Sequence, residues 1–166
     1  MTRYPPIKIL LTAGGLALGL AVGLAGASAW AAQPQVIELT QTGCQFLESE
    51  DGVDHGFKTA KKADCEAING TTGAARIAEA KVLNLKPGKY IFRVTNRDVP
   101  YTLGFFLREH DYNWMNPLHK LTKTAVSGGG LDMGTTQDFE VELEPGDYLY
   151  SCPLNPTPDY KLVVRG

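Results

Sequence analysis

The sequence predicts a mainly β protein, a Greek-key β-sandwich of two sheets. Short segments of alternating apolar and polar residues recur after residue 80, and turns rich in proline and glycine separate them. The segment 85–92 also parallels 143–150, each with a Pro-Gly turn before an aromatic strand, and we interpret the two as equivalent hairpins. Only one short segment, 58–68, favours a helix.

An apolar run near the N-terminus has the composition of an export signal. Arg3 and Lys8 precede it, residues 9–27 carry no charge, and residues 29–31 read Ala-Trp-Ala, a small-residue cleavage pattern. We therefore expect residues 1–31 to be a signal peptide. The alternative is a retained anchor, in which case the chain meets a membrane only through residues 9–29. Both alternatives place the remaining chain outside the cytoplasm, in the periplasm or secreted.

The charge of the remaining chain excludes some classes of partner. Removing Arg3 and Lys8 from the 16 basic residues leaves 14 against 18 acidic residues, a net charge of −4. The charges are mixed along the chain without a basic stripe, so nucleic acid is not an expected partner. About 135 residues are enough for one domain with a proper core.

We predict a division into a polar N-terminal extension, residues 32–73, and a β-domain, residues 74–166. The chain has three cysteines. Cys44 and Cys65 lie close together in the polar extension, so we expect them to form a disulfide in an exported protein. Cys152 is then left as a free thiol at the end of an apolar strand.

Seven strands are predicted in order, at 36–40, 81–85, 90–96, 101–107, 137–143, 148–152 and 161–164. The strand 90–96 is the clearest, because Tyr90, Phe92 and Val94 alternate with polar residues. Residues 108–133 form a long connection, and connections of this length are usually functional or mobile.

The end of the chain resembles a cupredoxin, the blue-copper domain family. A strand ends in Asn96, and Pro100 precedes the next strand. Further on, a Pro-Gly turn leads into an aromatic strand, Tyr150-Ser151-Cys152, a proline-containing loop and a last strand. The resemblance covers residues 81–166. It implies a cupredoxin-like sandwich.

The resemblance also implies where a type 1 copper centre would be. Such a centre needs two imidazoles, a thiolate and a weak thioether. Cys152 occupies the cysteine position, but the two histidine positions fall on Tyr101 and Asn155, and the methionine position falls on Tyr160. Because three of the four ligands are absent, we expect no type 1 copper there and no other cofactor.

Two hypotheses for function remain open. In the first, the protein is a non-catalytic accessory module that binds an unidentified periplasmic protein. Its aromatic surface would be formed by Phe105, Phe106, Tyr112, Trp114, Pro117 and the proline-containing loop after Cys152. Adjacent strand residues face opposite ways, so we expect at least one of Phe105 and Phe106 to be buried in the core instead. In the second, it binds copper or transfers electrons through Cys152 and the metal-capable residues of the long connection. Those residues are His110, Met115, His119 and Met133. Cysteine, methionine and histidine together favour Cu(I).

An enzyme is not expected. The glycine run 128–130 lacks the sequence of a phosphate-binding loop, and the chain has neither a haem attachment motif nor zinc-ligand spacing. His55 lies among acidic residues and is interpreted as a solvated loop residue.

Overall fold

A computed structural model of the chain describes residues 33–166. The strands are β1 Gln35–Thr42, β2 Gln45–Phe46, β3 Leu83–Leu85, β4 Gly88–Asn96, β5 Leu103–Glu109, β6 Ala125–Leu131, β7 Thr136–Leu143, β8 Gly146–Ser151 and β9 Tyr160–Val164. The helices are α1 Lys62–Glu79 and the short α2 His119–Thr122, and Leu47–Glu50 forms a 3₁₀ turn. The predicted signal peptide or anchor, residues 1–31, lies outside the described residues.

The strands form two sheets that pack face to face. The first has the order β2-β1-β4-β7, and the second has the order β3-β9-β8-β5-β6. Both sheets are mixed, because β1 pairs parallel to β4 and β3 pairs parallel to β9. The predicted mainly β sandwich is confirmed.

The alternation predicted for β4 places its apolar residues in the core. Tyr90, Phe92 and Val94 are buried, as are Phe105 of β5 and Phe139 of β7. The ring centroid of Phe105 lies 5.5 Å from that of Phe92 and 5.1 Å from that of Phe139. Each fully buried side chain of this size stabilises the fold by about 1.5–3 kcal/mol, and this core joins the two sheets.

The sequence had suggested that the two Pro-Gly segments form hairpins, but neither segment does. The first connects β3 of the second sheet to β4 of the first, and the second connects β7 of the first sheet to β8 of the second. In each crossing a tyrosine hydroxyl donates to the carbonyl four residues earlier, Tyr90 to Lys86 at 2.8 Å and Tyr148 to Glu144 at 2.9 Å. The two similar segments, 85–92 and 143–150, therefore form two matching corners between the sheets.

Residues 32–73, expected to form an extension, contribute β1 and β2 to the first sheet and begin α1. The predicted Cys44–Cys65 disulfide is present. The helix starts later and ends later than the predicted 58–68. Its first turn is capped by Asp64 Oδ2, which accepts from the N–H groups of Ala60 and Lys61 at 2.8 and 3.0 Å. The helix continues beyond residue 68 because Arg76 is buried against the sandwich, as described below.

The connection 108–133 contains the strand β6, which the sequence did not predict. Its glycines hide the alternation of apolar and polar residues that marks a strand, but at least one of them is needed for the strand to pack against its neighbours. A Cβ on Gly128 would lie 2.7 Å from Cε1 of Phe139, so only glycine fits above that ring. Among residues 33–166, no helix is long and apolar enough to cross a membrane.

The sandwich has two ends, which the strand registers define. At the entry end, β1 begins with Gln35, and β8 begins beside the end of β5, where Tyr148 pairs with Glu109. At the cysteine end, β1 and β8 finish and β5 begins, so Thr42, Leu103 and Ser151 lie there. The connection from β5 to β6 leaves the sandwich at the entry end.

Candidate functional site

The loop after β8 is closed by hydrogen bonds between its two sides. The N–H of Cys152 donates to Oγ1 of Thr157 at 3.0 Å, and the N–H of Thr157 donates to the carbonyl of Cys152 at 3.4 Å. Prolines at 153, 156 and 158 restrict the backbone between these points and beyond. The loop therefore holds Cys152 and Asn155 in fixed positions.

Cys152 is a free thiol with 1% of its surface exposed. Its Sγ accepts a hydrogen bond from the N–H of Asn155 at 3.2 Å. Burial raises the pKa of the Cys152 thiol, and the neighbouring backbone N–H groups offset that effect only in part. The sulfur is therefore a protonated thiol at neutral pH, which is neither a good nucleophile nor a good metal ligand.

Asn155 is fully buried and joins the loop to three other parts of the chain. Its Oδ1 accepts from the N–H of Cys44 at 3.0 Å and from the hydroxyl of Tyr101 at 3.2 Å. Its Nδ2 donates to the carbonyl of Thr42 at 2.8 Å. The Cys65 sulfur also lies 2.9 Å from Oδ1, a contact without a hydrogen because this sulfur is in the disulfide. Asn155 thus ties the loop, β1 and the disulfide together.

Tyr160, at the position expected for an axial methionine, contacts a different set of groups. Its buried ring lies 5.5 Å from that of Tyr150, and its hydroxyl donates to Oε1 of Glu50. Burial, followed by the hydrogen bond to Glu50, raises the pKa of Tyr160. It is therefore a neutral phenol at physiological pH.

These residues do not fit a type 1 copper centre. Tyr101, Asn155 and Cys152 use their polar atoms in hydrogen bonds to one another and to the backbone, and the set has no imidazole. The described residues also include two buried oxygens without a hydrogen-bond partner, Oε1 of Gln41 and Oγ1 of Thr42. As a metal ligand, each would offer a neutral oxygen atom, which does not replace an imidazole nitrogen around a thiolate. Residues 33–166 contain no group of three or more His, Cys, Asp or Glu side chains arranged to hold a metal ion.

The metal-capable residues of the long connection lie on the surface at both ends. The N–H of His110 donates to the carbonyl of Asp147, just before β8 reaches Tyr148, so His110 is at the entry end. From Asp147 to Cys152 a strand spans roughly 16 Å. Nδ1 of His119 accepts from the N–H of Asn113 at 2.9 Å, within the same connection. The structure therefore does not bring His110 together with Cys152.

The two methionines are also separated from each other. Met115 lies in the connection that leaves the entry end and is 73% exposed. Met133 is 59% exposed and lies in the turn after β6, where the N–H of Gly134 donates to the carbonyl of Asn96 at 2.7 Å. This turn is at the cysteine end, because Leu131 pairs with Leu103.

A buried polar cluster, which the sequence did not reveal, joins α1 to the sandwich. Arg76 donates to Glu50 through Nε at 3.0 Å and through Nη2 at 2.6 Å, and both side chains are less than a tenth exposed. Nη2 also donates to the carbonyl of Cys44 at 3.0 Å. Nε2 of His55 lies 2.7 Å from Glu50, so His55 closes the exposed side of the cluster. His55 is thus paired with a buried carboxylate as well as partly solvated.

Opposing effects set the pKa of Glu50. Burial acts to raise it, but the hydrogen bonds from Arg76 and Tyr160 and the Arg76 charge outweigh burial. The pKa of Glu50 therefore lies below its ordinary value, and the carboxylate is ionised at neutral pH. Because Glu50 is ionised and paired with Arg76, the cluster links α1 to the sheets.

The expected aromatic surface is only partly present. Phe105 is in the core, and Phe106 is half-buried under Arg108, whose guanidinium carbon lies 4.8 Å from the ring centroid. Four of the large apolar side chains that are exposed lie instead in the connection after β5. They are Trp114, Met115, Leu118 and Leu121, which are 69%, 73%, 65% and 84% exposed, and together we call them the apolar cluster. Leu118 and Leu121 are three residues apart across one helical turn, a spacing visible in the sequence.

Comparison with known proteins finds similarity in fold only. No protein-family model and no curated protein matches the sequence. Among solved structures, auracyanin B is 13% identical, with 81% of this chain and 92% of that chain covered at a TM-score of 0.49. Reduced rusticyanin is 12% identical, with 81% and 82% covered at a TM-score of 0.42. A multicopper oxidase from Pediococcus acidilactici is 11% identical, with 95% of this chain and 30% of that chain covered at a TM-score of 0.39. The solved structures that the chain resembles are thus cupredoxins and multicopper oxidases.

Proposed function

We propose that this chain is an exported, cupredoxin-like accessory module that acts by binding and not by copper chemistry at Cys152. The observation that carries the proposal is the hydrogen-bonded set of Tyr101, Asn155 and Cys152. These side chains occupy the position of a copper centre, and their polar groups form hydrogen bonds with one another. A metal entering there would have to break these bonds and remove a proton from a buried thiol whose pKa is raised.

The buried polar cluster and the disulfide support the same function. Arg76 and Glu50 hold α1 on the sandwich, and the Cys44–Cys65 disulfide holds α1 to the segment after β1. Such a scaffold suits the presentation of a binding surface, for which the module needs no cofactor. The module is non-catalytic and works in the periplasm or outside the cell, in keeping with the signal peptide or anchor that the sequence predicts for residues 1–31.

The alternative is a copper or electron-transfer protein that combines Cys152 with residues of the long connection. It would require His110 to move from the entry end to the cysteine end. His119 would also have to give up its hydrogen bond from Asn113. No contact in the described residues favours this arrangement.

A copper titration tests the proposal. The full-length chain, with Cys152 reduced and the disulfide intact, is mixed with Cu(I) and separately with Cu(II), and bound metal and visible absorption are measured. We expect no thiolate-to-copper absorption and no binding that depends on Cys152. Binding by exposed histidines would be equal in Cys152→Ala and agrees with the proposal. Stoichiometric binding that is abolished by Cys152→Ala would overturn it.

A further inference from the structure

We propose that the free edge of β6 binds an extended, basic segment of a partner protein, which pairs with it as an additional strand of the second sheet. The inference rests on the proposed function and names the surface and the kind of partner through which the module would act. β6 is the last strand of its sheet, and its neighbour among residues 33–166 is β5 alone. The free edge of such a strand presents unpaired N–H and C=O groups to another extended chain.

The register between β5 and β6 shows which residues of β6 present these groups. The N–H of Glu109 donates to the carbonyl of Thr124 at 3.0 Å, and the two residues continue the pairing of the antiparallel strands. Hydrogen-bonded and non-bonded pairs alternate along such a ladder, so residues 126 and 128 also bond to β5. The backbone groups of the alternate residues point away from β5. These residues are Ala125, Ser127 and Gly129.

The other side of β5 leads to the same assignment. The N–H of His110 donates to the carbonyl of Asp147 at 2.8 Å, in continuation of the pairing with β8. The even-numbered residues of this part of β5 therefore bond to β8, and the odd-numbered ones bond to β6, where they face Val126 and Gly128. The three outward-facing residues of β6 are all exposed. Within residues 33–166, no backbone hydrogen bond outside the strand ladders reaches them.

β6 lacks the protection that the other sheet edges of the described chain have. β7 is the edge of the first sheet, and its exposed face carries alternating acidic residues, Asp138, Glu140 and Glu142. β2 and β3 have only two and three residues. β6 has seven residues and contains neither a charge nor a proline. Because charges, prolines and short strands are what usually prevent pairing between chains, β6 is the edge that is open to it.

The charge beside this edge favours a basic partner over a second copy of the chain. β6 lies over β7, because a Cβ on Gly128 would be 2.7 Å from Cε1 of Phe139. Asp138 of β7 is paired with Arg93, whereas Glu140 and Glu142 are exposed and have no ion pair within residues 33–166. Two copies joined through β6 would bring these carboxylates of both chains towards one another, and facing like charges are destabilising.

Long basic side chains on the added strand fit the space at this edge. Val126 and Val141 are only partly buried where they pack against the core. The inner face of a strand added to β6 would lie beside them, so the aliphatic stem of a lysine or arginine would cover them. The charged end of the same side chain would then be attracted to Glu140 and Glu142. The edge therefore suits an extended segment with basic residues at every second position.

Amide hydrogen exchange in β6 tests the inference with a defined probe. The full-length chain is mixed with a short synthetic peptide that alternates lysine with threonine and is blocked at both ends. At a peptide concentration of about nine times Kd, we expect exchange to slow about tenfold at the three outward-facing residues, because only the unoccupied protein exchanges. The amides of Val126 and Gly128 should change little, since they already bond to β5.

Variants of Ser127 show whether the probe pairs with the edge itself. Ser127→Pro removes the outward N–H and keeps the bonds from β6 to β5, and edge strands accept proline at such positions. We expect this change to weaken peptide binding by about tenfold or more, since the proline ring also occupies the edge. Ser127→Ala is the matched control. It keeps the N–H and should bind the peptide as the wild type does.

Two methylated probes give a second measurement on the unchanged protein, which decides the question even where Ser127→Pro does not fold. One carries a methyl group on the backbone nitrogen of every lysine, and the other on the backbone nitrogen of every threonine. Successive N–H groups of an extended strand point to opposite sides, so only one set faces β6. We expect one probe to lose binding and the other to retain it. A peptide that alternates glutamate with threonine is the charge control and should bind about tenfold more weakly.

Unchanged exchange at the three outward-facing residues would overturn the inference. Equal binding by Ser127→Pro, or equal effects of the two methylations, would also overturn it, because the probe would then bind elsewhere. Equal binding of the glutamate peptide would refute the basic character of the partner. Slowed exchange that needs no probe and grows with protein concentration would favour a second copy of the chain instead. Copper binding at Cys152 would overturn the proposed function alone and leave the exchange result unchanged.

Discussion

The hydroxyl of Tyr101 donates a 3.2 Å hydrogen bond to Oδ1 of Asn155. These two residues occupy the positions where the sequence resemblance places the histidines of a copper centre. The bond therefore joins two would-be ligands directly, at a distance that leaves no space for a metal ion between them. Asn155 extends the connection to the Cys152 sulfur through its own N–H. The position is organised as a structural brace.

The first prediction concerns Asn155. Replacing it with alanine removes, in a buried region, the acceptor for the N–H of Cys44 and for the Tyr101 hydroxyl and the donor to the carbonyl of Thr42. We expect Asn155→Ala to lower the free energy of unfolding by about 3 kcal/mol. Urea unfolding measures this. The matched control is Asn84→Ala, because Asn84 is exposed and has a single local bond; equal effects of the two changes would contradict the role of Asn155.

The second prediction concerns the two corners between the sheets. Tyr90→Phe and Tyr148→Phe each remove one hydroxyl bond to a carbonyl four residues earlier while keeping the buried ring. We expect each to cost about 1 kcal/mol of unfolding free energy. Thermal and urea unfolding check this. Tyr112→Phe is the control, since its hydroxyl makes no hydrogen bond within residues 33–166, and a similar loss there would refute the corner interpretation.

Much of the fold could be predicted because strand alternation depends on neighbouring residues. The pattern of Tyr90, Phe92 and Val94 indicates one buried face whatever the strand's partners are. The strand β6 could not be predicted in this way. Gly128 is required by the Phe139 ring, a residue of the next strand, and no local pattern reports that contact. The same limit made the Pro-Gly corners look like hairpins, because sheet membership depends on long-range pairing.

The candidate site was predictable only as far as the resemblance extends. Alignment with the cupredoxin pattern places Cys152, Tyr101 and Asn155 at equivalent positions, and the structure places these three close together. The cluster of Glu50 and Arg76 has no such signal, since its members are 26 residues apart and neither belongs to a motif. Buried ion pairs of this kind depend on the docking of α1, which the sequence shows only as a short helix.

The third prediction concerns the pH dependence of stability. The pKa of Glu50 is lower in the folded state than its ordinary value of 4.5, because Arg76 and Tyr160 outweigh the effect of burial. Its stabilising contribution is therefore complete above the unfolded-state pKa and is lost as the pH falls through that value towards the lower folded-state pKa. We expect Glu50→Gln to be less stable than the wild type at neutral pH and to lose less stability between about pH 5 and pH 3.

Unfolding free energies across that pH range test the assignment to Glu50. Glu66→Gln is the control, because Glu66 is 56% exposed in an i,i+4 pair with Lys62. It should keep the wild-type stability and the wild-type slope. If Glu50→Gln retained the full acid-dependent loss, the buried pair with Arg76 would not be the source of it.

The last prediction concerns the Cys152 thiol. Burial raises its pKa above the ordinary 9.0, and the side chain is 1% exposed, so both protonation and access oppose its reaction. We expect a disulfide reagent to label Cys152 in the folded protein on the order of 100-fold more slowly than in the unfolded chain, because labelling must await opening of the structure.

The reference rate comes from Met133→Cys in the Cys152→Ala background, an exposed thiol at the same end of the sandwich. Its rate should level off near its ordinary pKa, whereas that of native Cys152 should still be rising above pH 9, since a raised pKa delays formation of the thiolate. Labelling of native Cys152 at the rate of the exposed thiol would mean that the loop opens readily and that the thiol is available for chemistry.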